Sequence, residues 1–158
     1  MLLWLHIFAA VGWMGAAMVF AMIIGPSLAS LTPPTRSEFV VKVLPKYVGY
    51  VQTFTLATPL IGVALALAIS NGSFGVFSPS TRFGGFISAG AGLAVLAMVI
   101  VFGVITPAAK KVVKLTEEAM KSQGAPPTEL HGAAKKMRVG AGVGLALLVV
   151  ILVCMVAA

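Results

Sequence analysis

The sequence predicts an all-α protein, a bundle of four transmembrane helices forming one domain over residues 1–158. Three observations carry the prediction. Apolar residues make up 59% of the chain and charged residues only 9%, whereas soluble domains carry roughly 25% charge. Four apolar segments each approach the ~20 residues needed to span a bilayer. Finally, ten of the eleven basic residues fall in two of the three connecting loops. The helices are expected at about 2–24, 46–69, 83–106 and 129–157.

The first helix has no basic stretch ahead of its apolar run, and that run is longer than a signal-peptide core, so it reads as a retained helix. The loop at 25–45 contains Pro33-Pro34, which stop any earlier helix, and then Thr35-Arg36-Ser37-Glu38, which fits a capping box. A short interfacial helix over Arg36–Leu44 follows, closed by Pro45. The second helix carries Tyr50, Gln52, Thr53, Thr55 and Thr58 before Pro59. Proline removes one backbone hydrogen bond and kinks the helix, and the threonine hydroxyls are candidates to satisfy the freed carbonyls.

Ser70–Thr81 is a Gly-, Ser- and Pro-rich loop, with Phe74 and Phe77 suited to a membrane interface. In the third helix Gly84, Ser88 and Gly92 recur at helical spacing, as do Gly140 and Gly144 in the fourth and Gly12 and Ala16 in the first. Small residues spaced this way let helices approach closely. The loop at 107–138 is periodic over Ala108–Ser122, is broken at Gly124-Ala125-Pro126-Pro127, and resumes behind Thr128 as N-cap. It reads as a helical extension beyond the bilayer. No internal repeat is legible in the sequence.

Arg36, Lys42 and Lys46 lie in the first loop, and Lys110, Lys111, Lys114, Lys121, Lys135, Lys136 and Arg138 in the third; only Arg82 lies in the second. The positive-inside rule then puts the first and third loops in the cytoplasm and both termini outside. The net charge of +7 is therefore a topology signal that can also attract anionic headgroups, and it points to no nucleic acid. Lone Cys154 allows no internal disulfide.

Reactive groups are few. The chain has no Asp, and its four Glu (38, 117, 118 and 129) lie in loops, so no buried carboxylate relay supports a proton-coupled transporter. No phosphate-binding glycine loop, CxxC or serine–histidine–acid set occurs. His6 stands alone as an ionisable group within an apolar segment, about 7 Å below the outer surface by helix rise. Its neutral imidazole can ligate haem iron or copper; as an ordinary packed residue it would instead bond to Ser, Thr or water. Met155 and Cys154 lie at similar depth on the fourth helix, and a thioether opposite imidazole is a workable haem pairing. His131 belongs to the opposite, polar end and reads as solvated. Met14, Met18 and Met22, spaced by four, form a stripe that can pass soft Cu(I) or serve as core filler.

Leu5-His6-Ile7, then Trp13, Gly15 and Pro26, followed by a Pro-rich turn, Arg36 and Leu44-Pro45-Lys46, resemble the start of the CopD/HemJ-like four-helix integral membrane proteins. The resemblance spans about the first 65 residues and continues only as hydropathy. It implies a plasma (inner) membrane location and either of two chemistries. In the HemJ-like case a b-type haem is held by a histidine of the first helix, where His6 stands; in the CopD-like case copper is moved across the membrane. The combined expectation is a haem b-binding redox component, or a subunit of a membrane redox complex, rather than an enzyme in its own right. The alternatives are a non-catalytic structural subunit and a copper-handling permease. Expected partners are the lipid bilayer and other membrane subunits or further copies of the chain.

Overall fold

The computed structural model describes residues 1–122 and 127–158, and among these every regular element is a helix. Four of them are long and apolar enough to cross a membrane: α1 (Leu2–Ser30), α2 (Pro33–Ile69), α3 (Arg82–Ser122) and α4 (Thr128–Ala157). Large apolar side chains lie on their outsides, including Phe8 at 69%, Leu60 at 66% and Val99 at 61% exposure. A surface this apolar suits lipid and is costly in water.

α1 packs chiefly on α2, and α3 chiefly on α4, so the bundle is two antiparallel hairpins laid together. Two clusters hold it. Trp13, Ala97 and Leu148 meet mid-bundle, with Met14, Phe54 and Ile151 against them. Toward the basic end, Phe20, Leu44, Ala109, Val112 and Ala133 form the second cluster. Its members come from all four long helices, so the extension of α3 beyond its apolar stretch is a packed continuation of the bundle.

Neither α1 nor α3 ends with its apolar run. Each passes through a π-helical turn, Phe20–Ile24 and Val101–Ile105, and continues helical beyond it. In both cases one residue separates the turn from a proline, Pro26 or Pro107. A proline ring clashes with the carbonyl four residues earlier in an α-helix, and the wider turn relieves that crowding. The first π turn is braced from α2: Tyr47 donates its hydroxyl to the Ala16 carbonyl at 3.0 Å. The Phe20 and Tyr47 rings also stack, with centroids 4.7 Å apart.

The connection from α1 to α2 differs from the expected capping box. The helix starts at Pro33, with Thr32 as N-cap, and Thr35 lies inside the first turn, its hydroxyl 2.9 Å from that of Thr32. Proline is pre-organised for the first helical positions, so Pro33-Pro34 begin this helix as well as ending α1. It runs to Lys42, and after Val43 the chain re-enters helix at Leu44 with Pro45 in the first turn. Arg36 donates to the carbonyls of Ala29 and Leu31, both at 3.0 Å, satisfying the open end of α1.

At the other end, α2 stops at Asn71-Gly72, both with positive φ, where Gly72 donates to the Leu67 carbonyl. Thr81 caps α3 by accepting from the Gly84 N–H at 3.0 Å. Pro127 takes the cap position of α4, and the expected cap Thr128 is its first helical residue. The expected breaker at Gly124–Pro127 lies outside the described residues except for Pro127. The small residues that do close packing are also partly different from those expected. Gly90, Gly140 and Gly144 are buried at helix contacts, whereas a Cβ on Gly92 would meet open space.

Candidate functional site: the His6 seam

His6 lies near the start of α1, at its seam with α2. Its Nδ1 is 3.1 Å from the Thr58 carbonyl, immediately before Pro59. A carbonyl only accepts, so Nδ1 carries the proton and the neutral ring presents Nε2 as its acceptor. The imidazole lies over Gly62, where a Cβ would stand 2.8 Å from Cε1 and 3.2 Å from Nδ1. Gly62 thus leaves room for the ring, and Thr58 fixes its tautomer. This is how ligating histidines are commonly held, by a bond from the nitrogen that does not bind the metal.

The turn of α2 beneath His6 is polar inside. Thr55 is fully buried and Thr58 nearly so, and neither hydroxyl has a hydrogen-bond partner among the described residues. Pro59, having no N–H, cannot bond the Thr55 carbonyl. The expectation that threonine hydroxyls would satisfy the backbone here fails at Thr55 and Thr58. Thr53 donates to the Gly49 carbonyl at 3.0 Å, which is not a carbonyl freed by Pro59. Thr53 lies on an outer face and bonds back along its own helix; the buried pair point into the bundle.

Met155 lies at the other seam. Its methyl group packs on α3 at Gly90, with the Cβ of Cys154 beside it. His6 and Met155 are therefore set against different neighbours, the first on α2 and the second on α3. The methionine stripe is not one surface: Met14 packs on the mid-bundle cluster, while Met18 is 43% and Met22 68% exposed. A four-residue spacing drifts about 40° per step around a helix, which carries the stripe from the interior outward. His131 is exposed at the basic end. No cluster of three or more His, Cys, Asp or Glu suited to a metal occurs among the described residues.

At that basic end, among the described residues, three ion pairs join exposed side chains: Lys42–Glu38, Lys111–Glu129 and Lys114–Glu118. The Lys111–Glu129 pair ties α3 to α4 at 2.6 Å. Sequence reasoning singled out His6 but neither the Thr58 carbonyl nor Gly62. Pro59 was the available signal, since a proline in a helix marks carbonyls in need of a donor.

No protein-family model matches the chain, and no curated protein or solved structure matches it.

Proposed function

We propose that the chain is a multi-pass protein of the plasma (inner) membrane that holds a b-type haem through His6, acting as a redox component or as a subunit of a membrane redox complex. The observation that supports this reading is the imidazole's setting: Nδ1 engaged by the Thr58 carbonyl, which leaves Nε2 as the atom able to ligate iron. His6 would supply the first ligand, and Met155, which would have to leave its contact with Gly90, is the proposed second. A haem held there would supply one-electron chemistry. The chain's own contribution is to fix the tautomer and orient the ring over Gly62.

The positive-inside rule orients this protein with both termini outside and the basic end in the cytoplasm. Labelling single cysteines with a membrane-impermeant maleimide in a Cys154→Ser background tests that orientation. In right-side-out vesicles a cysteine placed at Ser78 should react and one placed at Ser122 should not; the reverse would overturn it.

The absorbance of detergent-purified protein supplied with haem tests the cofactor. A Soret band that shifts on reduction, and vanishes in His6→Ala, is expected. Wild type without such a band after loading would refute the haem reading. A second reading has its own support, because the packing of His6 on Gly62 is complete as a helix–helix fastening. On that reading the chain is a non-catalytic subunit; His6→Ala then loosens the α1–α2 seam in a protein that never bound haem, and wild type co-purifies with other subunits in mild detergent. The copper-handling alternative draws least support, since Met18 and Met22 face outward; unchanged Cu(I) binding after removal of the three methionines would dismiss it.

A further inference from the structure

The two hairpins resemble one another in a way that composition hides. Each π turn precedes a proline at the same distance, and part of the burial pattern matches. Ala9, Trp13 and Phe20 of α1 have the spacing of Gly90, Ala94 and Val101 of α3. Leu44 and Thr55 of α2 have the spacing of Ala133 and Gly144 of α4. Where transmembrane repeats face each other, their interface is the usual place for a ligand. Here that interface contains a cavity of about 50 Å³ lined by all four long helices.

The cavity's chemistry restricts what can enter. Both π turns reach it, through Phe20 and Val101, and Trp13, Ala97, Gly144 and Leu148 contribute to its wall. Its polar side groups are already engaged: Tyr47 donates to the Ala16 carbonyl, and Thr106 accepts from Gln52 Nε2 at 3.0 Å. A buried water needs two to four polar partners, and apolar cavities without them stay dry. A void of roughly 150 Å³ accepts benzene, so this one is limited to something much smaller. At Gly144 a Cβ would find Ile105 no closer than 4.0 Å, so the wall here is left open by the lack of a side chain.

We infer that this cavity is a binding site for a small apolar molecule of the size of a diatomic gas. Both π turns border it, through Phe20 and Val101, and such turns are rare in helices and concentrate at functional sites.

Xenon, a heavy-atom quencher of indole fluorescence, tests the inference in the full chain. The protein has two tryptophans, and Trp4 is 75% exposed; Trp4→Phe leaves Trp13, at the cavity wall, as the only indole to be excited selectively over tyrosine. Under xenon pressure Trp13 emission should fall along a saturating curve. In Gly144→Val, whose side chain fills the space, the saturating part should be lost and only a linear collisional part remain. A linear response in the Trp4→Phe protein, or saturation unchanged in folded Gly144→Val, overturns the site. If Gly144→Val does not fold, Leu148→Ala decides: enlarging the cavity should shift the curve to lower xenon pressure, and an unchanged curve overturns the site.

Discussion

Replacing Gly62 by alanine puts a methyl group where the His6 ring lies. The new Cβ would stand 2.8 Å from Cε1, against the 3.4 Å at which ordinary contact begins, so the ring must retreat by about 0.6 Å (3.4 less 2.8). The retreat stretches the 3.1 Å bond from Nδ1 to Thr58. Losing a typical hydrogen bond costs about 0.5–1.5 kcal/mol, and overpacking costs about 1–3 kcal/mol. Against this, alanine favours a helix interior by about 1 kcal/mol over glycine. The net expectation is a loss of about 0.5–3.5 kcal/mol. In a His6→Ala background the clash disappears, and the same replacement should stabilise by up to about 1 kcal/mol. Reversible unfolding of the four proteins of this cycle, followed by helical circular dichroism in mixed detergent, measures the coupling. Equal effects of Gly62→Ala in both backgrounds would refute the argument that the ring and the glycine are fitted to each other.

The same seam gives a contrast between neighbours. Gly12→Ala would bring a Cβ within 2.7 Å of the Phe54 ring, whereas Gly15→Ala meets nothing within 4 Å; the first should destabilise by about 1–3 kcal/mol and the second be neutral or mildly stabilising, by the same unfolding assay. Tyr47→Phe keeps the stacking on Phe20 but removes the bond to Ala16, and should cost about 0.5–1.5 kcal/mol with faster amide exchange around the first π turn. Lys111→Ala breaks an ion pair whose side chains are 52% and 68% exposed; its cost should stay below about 1 kcal/mol and shrink further in high salt.

The apolar segments were legible because spanning length and composition are local properties. The extent of the helices was not. The apolar run of α1 suggests an end near Ile24, yet the chain stays helical to Ser30 because a π turn accommodates Pro26. At Thr32–Glu38 two local signals competed, a capping box at Thr35 and a proline-led start at Pro33, and the proline pair prevailed. His6 stood out in the sequence for its charge type alone. Its partner, 52 residues away in the chain, is a backbone carbonyl, and carbonyls have no sequence signature. The likeness of the two hairpins was hidden for a similar reason: Trp13 and Ala94, or Phe20 and Val101, match in position and burial while sharing no side-chain chemistry.

The continuity of α3 has a mechanical consequence. Its 41 residues extend about 60 Å at helical rise, twice the ~30 Å of a hydrocarbon core. Its far half packs on α2 and α4, so that end moves as one body with the bundle. A helix fitting itself to a thinner or thicker bilayer does so partly by tilting, and a tilt of about 10° swings a tip ~30 Å beyond the pivot by about 5 Å. A rigid body of this length turns a small tilt of its apolar half into a larger sideways displacement of its charged half.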